Sequence, residues 1–381
     1  MKKIKQALGQ ILQAITKQPK INLKDAPKTC YEIVKTAENV GYHFTYMNNQ
    51  VYLFQGQYYA PVDNATLKVF IKFALIYLSD NTVAASDRKV INDNHAQFPY
   101  SVMTLDTAPP ASKINFDNGT LDLVAMKFSN HSYKDYFPYV LPYGYDPNAA
   151  CPVFEKFLSE VLPERQVQDV IAEYIAWLFT PGLKLEKVML LYGKGCNGKS
   201  VLVEIIENLI GQENVSHESL SDLADNANAR ANIIGKRLNT CTDIGTAIEN
   251  PDVLKRLASG ESISVKKLYQ DVATVDDYAK NIFCCNELPK SKDMSDGFVR
   301  RLLIIPFDRQ IPKDRVDPTL ASRIISNELP GIMNWVIDGY QRLARQQAFT
   351  DSPCIQRMTE EYRRHKTVKG KIKLYLPPFW K

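Results

Sequence analysis

The chain reads as an α/β protein built around a doubly wound, largely parallel sheet covered on both faces. Three observations predict this. Short apolar segments, VMLLY (188–192), KRLNTCTDI (236–244), NIFCCN (281–286) and RLLIIPF (301–307), alternate with helical patterns, as strands buried on both faces alternate with crossover helices. The first of these strands breaks into GKGCNGKS (193–200) and resumes as an apolar helix from Lys199 to Ile210, the strand–loop–helix setting of a phosphate-binding loop. Hydrophobic residues make up 45% and charged residues 23% of the 381 residues, near the averages for folded proteins and far from those of disordered or collagenous chains. That length predicts two or three domains, and no apolar run nears the roughly 18–20 residues of a membrane span.

From the start, MKKIKQALGQILQAITKQPK combines lysines with apolar residues, but Gln6, Gln10, Gln13 and Lys17 interrupt it. Ile4, Leu8, Ile11, Leu12 and Ile15 fall at helical spacing, so residues 1–29 read as a basic leader carrying an amphipathic helix and not as an export signal. HFTYMNNQVYLFQGQYYAPV (43–62) predicts a three-stranded meander, ATLKVFIKFALIYLS (65–79) a helix, and SKINFDNGTLDLV (112–124) a hairpin at Asn118-Gly119. Residues 30–148 therefore form a mixed α/β N-terminal module, closed by a Pro-, Tyr- and Asn-rich link.

Two helices follow over 149–185 as a helical collar, one marked by Phe154, Phe157, Leu158 and Leu162. The other is marked by Val167, Val170, Ile171, Tyr174, Ile175 and Leu178, and ends at Pro181-Gly182. The alternating core occupies 186–310. A C-terminal helical segment covers 311–381, with a helix from Asp317 to Gln347 that breaks at Leu329-Pro330-Gly331.

Seven scattered cysteines with no CxxC pair, and five histidines, predict reduced thiols in a cytoplasmic protein and argue against a zinc site. Cys284 and Cys285, inside an apolar run, read as small buried hydrophobes. The net charge of +5 is uneven. Residues 1–28 hold seven lysines against Asp25, and residues 355–381 hold eight Lys or Arg against Glu360 and Glu361, so each end is +6 and the middle −7. Basic ends on such a body suit a polyanion partner, although solvated tails share that signature.

The chemistry concentrates in the loop. Gly193, Gly198, Lys199 and Ser200 fit GxxxxGK[ST]. Glycines let the backbone curl so that successive N–H groups face phosphate oxygens, and the following helix adds its positive N-terminal dipole. The expected ATP-binding set is Gly193, Lys194, Gly195, Cys196, Asn197, Gly198, Lys199 and Ser200, with Lys199 bridging the β- and γ-phosphates and Ser200 on Mg²⁺. A thiol reagent on Cys196 should then block the nucleotide. Asp243 ends a neighbouring strand, where an acid can hold Mg²⁺ or orient water; Asn286 ends another, where an amide can touch the γ-phosphate or the attacking water. Arg300 and Arg301 open the last strand, suiting either a surface ion pair or completion of a neighbouring copy's site.

In order and spacing, GKGCNGKS, RLNTCTDI, LKRLASGESISVKKLY, IFCCNELPKSKD and VRRLLIIPFD resemble the motifs of superfamily 3 helicases, particularly the primase-associated helicases of phages, plasmids and poxviruses. INFDNGTLDL, YDPNAACPVFEKFL and NELPGIMNWVIDGYQRL resemble the segments flanking the ATPase in that family, so the likeness covers about residues 112–365. It implies an AAA+-like P-loop NTPase core in which Lys199 and Ser200 bind ATP and Mg²⁺, Asp243 is the Walker B acid, Asn286 the sensor and Arg300 or Arg301 the trans arginine. It also implies a hexameric ring on single-stranded DNA at a replication fork, moving 3′ to 5′ for a mobile genetic element, with a primase or other replication proteins as partners and no membrane.

Between acid and sensor the family carries a channel-facing hairpin, which makes Lys266 and Lys267 the candidates for gripping DNA phosphates. The chain departs from the pattern at Thr242, where many members have a second acid, leaving Asp243 alone or helped by Glu249 or Glu261. Where members continue into a winged-helix domain, this chain ends soon after EEYRRHK. Residues 1–111 match loosely and show no primase constellation. The competing readings are an AAA+-like initiator or loader without intrinsic unwinding, a P-loop kinase for a metabolite, and a non-catalytic protein with a decayed site, against which the intact Gly198-Lys199-Ser200 stands.

Overall fold

The computed structural model describes residues 2–364 except 24, 48, 105–108, 181–182, 246, 249 and 267–271. The chain divides into two compact units, Met1–Tyr145 and Asp146–Lys381.

In the first unit, α1 (Lys2–Ile15) and α2 (Ala26–Asn39) precede the antiparallel meander β1 (Phe44–Met47), β2 (Gln50–Phe54) and β3 (Tyr59–Pro61). Then come α3 (Asn64–Leu78), α4 (Thr82–Ala85), α5 (Arg88–Val102) and a second antiparallel sheet, β4 (Lys113–Phe116), β5 (Gly119–Asp122) and β6 (Lys127–Ser129). Side-chain carboxylates start α2, α3 and α5: Asp25, Asp63 and Asp87 each accept a backbone N–H of the first turn, satisfying donors that a helix start leaves free. The apolar stripe of the basic leader belongs to this core. Leu8, Ile11 and Ile15 are buried with Ile33, Phe70, Ile71 and Phe98.

The second unit opens with α6 (Pro152–Val161) and α7 (Arg165–Trp177). Next are β7 (Val188–Tyr192), α8 (Lys199–Ile210), β8 (Val215–Ser216), α9 (Leu220–Asp225), α10 (Ala227–Asn232), β9 (Leu238–Cys241) and β10 (Ala247–Ile248). It continues through α11 (Pro251–Ser259), the hairpin β11 (Ile263–Lys266) and β12 (Val272–Val275), β13 (Lys280–Cys285), β14 (Lys290–Ser291), α12 (Asp296–Val299) and β15 (Leu302–Pro306). Two helices, α13 (Leu320–Gln346) and α14 (Pro353–Arg364), complete it. Five strands form one sheet in the order β15-β7-β13-β9-β8, parallel at every pairing. β7, β13 and the edge strand β15 are buried along almost their whole length, as helices on both faces require.

The expected break at Leu329-Pro330-Gly331 is absent: α13 runs unbroken with Pro330 inside it. Packing on both sides of the proline outweighs the lost backbone hydrogen bond. Leu329, Ile332, Met333 and Val336 are all buried, and Gly331 lies so close to Ala150 that an added Cβ would stand 2.3 Å from its carbonyl oxygen.

Two buried carboxylates tie the collar helices to this segment. Glu328 accepts the N–H groups of Val153 (3.0 Å) and Phe154 (2.8 Å) at the start of α6. Glu173 on α7 accepts from the Thr350 N–H (2.7 Å) and pairs with Arg342 (3.2 Å). No helix among the described residues is long and apolar enough to cross a membrane. Replacing Glu328 with Ala strands two buried donors and should cost about 2 kcal/mol. In a unit of this size that is a fall of about 4–8 °C in melting temperature; an unchanged thermal melt would show that the cap carries no weight.

Candidate nucleotide-binding site

The glycine-rich loop connects β7 to α8 at the C-terminal edge of the parallel sheet, where such sheets bind their ligands. Neighbouring strands hold its first residues: Gly193 N–H donates to Cys285 O (3.1 Å) and Phe307 N–H to Tyr192 O (2.7 Å). At Gly193 a Cβ would lie 2.3 Å from Asn197 Nδ2 and 2.5 Å from Phe307 O, so close approach alone demands glycine. Gly198 has φ +87° and presses on Val161 and Phe157 of α6, and Cys196 has φ +57°. The curl is therefore fixed by left-handed residues and by a wedge from the collar.

Lys199 begins α8 and is only 7% exposed. Its Nζ donates to Gly193 O and to Asn197 Oδ1, the latter at 3.0 Å. Burial holds its pKa below the usual lysine value, opposed by the nearby Cys284 and Cys285 thiols. Asn197, 2% exposed, donates in turn to Phe307 O (3.0 Å), and Ile311 N–H donates to Cys196 O (2.8 Å). Ser200, second in α8, faces solvent.

Strand order brings the other predicted groups to the same edge. Asn286, exposed, directly follows β13, the neighbour of β7. Asp243, also exposed, lies two residues beyond β9, one strand further out. Its Oδ1 accepts from Gly245 N–H (3.0 Å), and Ile244 N–H still reaches Cys284 O (3.3 Å). The Cys285 thiol, raised to about 12 chiefly by burial, feels both Lys199 and Asp243. Ser200 and Asp243 are an oxygen donor pair of the kind Mg²⁺ takes alongside phosphate and water.

Two acids that the sequence reading passed over stand here as well. Burial raises the Tyr192 phenol, and Asp308 and Glu287 raise it further; each follows a strand end, in IPFD and CNEL. Burial also lifts the Asp308 carboxyl, against the nearby Arg357.

Three expectations fare differently. Glu261 cannot assist Asp243, because its carbonyl accepts from the Tyr278 hydroxyl (2.8 Å), and Tyr278 precedes β13 at the opposite edge of the sheet. Glu249 lies outside the described residues, as does Lys267. Lys266 ends β11, exposed, in a hairpin that Arg230 holds through Ser264 O (2.7 Å).

Arg300 and Arg301 also lie at the N-terminal edge: Val188 N–H donates to Arg301 O (2.8 Å) and Leu302 pairs with Val188. The length of β15, about 16 Å at roughly 3.3 Å per residue, separates them from their own loop. The two differ sharply. The Arg301 side chain is 13% exposed and anchored by Ser259 Oγ (2.9 Å) and Gly297 O, whereas that of Arg300 is 60% exposed.

Residues 42–163 match the family described as D5 N terminal like, and residues 191–301 match a family of unknown function (DUF5906). The first match carries the likeness back into the module that the motifs alone left loosely assigned. A protein named "Putative helicase" from Acanthamoeba polyphaga mimivirus is 26% identical over 211 residues, 51% of this chain and 21% of that protein. One of the same name from Invertebrate iridescent virus 3 is 28% identical over 211 residues, 51% and 22%. The chain thus spans about a fifth of the length of these curated relatives. Among solved structures, the A form apo structure of the NrS-1 C terminal region has a TM-score of 0.57 at 11% identity, covering 86% of this chain and 74% of that one. A second, of NrS-1 residues 305–718, has 0.54 at 12%, covering 87% and 77%. At such identity the likeness is one of fold.

Thiol chemistry can check this geometry. Cys196 is exposed, while burial pushes the Cys284 and Cys285 thiols up to about 12. Iodoacetamide at pH 8 should modify Cys196 and spare the pair in the folded protein, as mapped by peptide mass spectrometry. Comparable labelling of Cys284 would mean that β13 is not buried in the sheet.

Proposed function

We propose that the chain is the ATP-hydrolysing motor of a replication-associated DNA helicase of a phage, plasmid or other mobile genetic element, with a P-loop NTPase core of the AAA+-like, superfamily 3 type. One observation carries the reading: the glycine-rich loop and the exposed Arg300 occupy opposite edges of one sheet, so a site using both needs two copies of the chain. The helicase names of the viral relatives and the D5 N terminal like match support the same assignment.

In this reading the N–H groups of residues 193–198 line the phosphates of ATP. Lys199 exchanges Gly193 O and Asn197 Oδ1 for β- and γ-phosphate oxygens. Ser200 and Asp243 would hold Mg²⁺, which would supply charge neutralisation when bound, and Asn286 orients the attacking water. Arg300 of the neighbouring copy meets the charge that develops on the γ-phosphate. The ring form, expected as a hexamer moving 3′ to 5′, places the hairpin bearing Lys266 and Lys267 toward single-stranded DNA, where point charges track the backbone without reading bases.

Lys199→Ala should abolish turnover while the protein stays folded, its melting temperature falling by a few degrees because Gly193 O and Asn197 Oδ1 lose their donor, and Arg300→Ala should lower kcat about 10³-fold or more. Mixed together, the two inactive variants should regain activity, because each supplies what the other lacks at a shared seam. Two dead variants that fail to rescue one another, or a strictly monomeric wild type hydrolysing at full speed with ATP and oligonucleotide, would overturn the arrangement. Displacement of a labelled strand from a forked duplex tests unwinding; hydrolysis stimulated by single strands with no displacement would make the chain an initiator or loader instead.

A further inference from the structure

Glu186 stands two residues before β7 in the left-handed region, at φ +53°. Such a conformation is strained for a non-glycine residue and persists only where its surroundings enforce it. Here the side chain has a specific task. Its Oε2 accepts a hydrogen bond from Arg300 Nη2 at 2.9 Å and forms an ion pair with Arg301 Nη2 at 3.3 Å. Arg301 is fixed by Ser259 and Gly297, so the carboxylate is itself fixed, and it extends that rigidity to the exposed guanidinium of Arg300. Lys187 completes the support by donating from Nζ to Arg300 O.

The surroundings show what the carboxylate prevents. A cavity of about 520 Å³ opens beside Arg300, with Asp351 and Glu360 on its wall. A guanidinium released from Glu186 has room to turn into that space, where the Asp351 carboxylate attracts it; Glu360 is already paired with Arg363. On a long side chain the difference between the two directions is several ångströms, enough to remove the group from a phosphate it must touch.

We infer that Glu186 is a positioning residue for Arg300, holding its guanidinium outward for the triphosphate bound by the neighbouring copy. The inference rests on the trans role of Arg300 proposed above. Glu186 touches neither nucleotide nor DNA; it acts through the arginine alone.

Glu186→Gly separates this role from a structural one, because glycine relieves the left-handed backbone while removing the carboxylate. The variant should melt no lower than the parent yet lose kcat about 10²-fold, as misplacement of a catalytic group by about an ångström does, with KM for ATP little changed. Glu186→Gln, which keeps an acceptor oxygen, should recover part of the loss. Combined with Arg300→Ala, Glu186→Gly should cost nothing further. Full activity in Glu186→Gly, or a loss that multiplies with that of Arg300→Ala, would overturn the role of Glu186 and leave the trans arginine standing. Full activity in Arg300→Ala would overturn both.

Discussion

The site depends on one buried amide. Asn197 faces two ways, donating to the carbonyl of Phe307 and accepting from the ammonium of Lys199. A buried donor or acceptor left alone costs about 1–3 kcal/mol, so the amide fixes the loop against the end of β15 and the lysine against the loop. Backbone hydrogen bonds at Gly193, Cys196 and Phe307 add to it, and steric restraints reinforce it. Gly193 can approach Phe307 only because it lacks a side chain, and Gly198 yields to the aromatic ring of Phe157. The curl is assembled from three parts of the chain: the loop, the collar helix α6 and the segment after the last strand.

That division explains what the sequence made legible. β7 and α8 lie where VMLLY and the following apolar helix place them, because continuous burial on both faces writes itself as an unbroken apolar run. The strand-end positions of Asp243 and Asn286 follow from the same logic. Their order in space does not: β13, last of the three in sequence, inserts between β7 and β9, a crossover that no local pattern records. Nor does Asn197 announce itself, since its partner Phe307 is 110 residues away. The choice between Arg300 and Arg301 was equally closed to sequence, because adjacent identical residues differ only in which one the fold buries.

Pro330 is the instructive error. Read locally, Leu-Pro-Gly ends a helix. In the structure Glu328, two residues earlier, caps α6, and Gly331, one residue later, packs against Ala150. Tertiary contacts on both flanks leave the chain no better course than to continue, and they show why proline and glycine are tolerated there: the glycine is required by proximity, and the proline sits between two positions that are already fixed. The same helix reaches the collar again through Arg342 and Glu173, so collar and C-terminal helices stabilise the loop from outside the sheet.

β15 has a property that belongs to neither of its ends. Its C-terminal end delivers the carbonyl that steadies the chain's own glycine loop, and its N-terminal end presents the arginines. Fully hydrogen-bonded to β7 and buried throughout, it is stiff along its axis and transmits displacement rather than absorbing it. If copies meet edge to edge as proposed, each strand spans from one seam to the next.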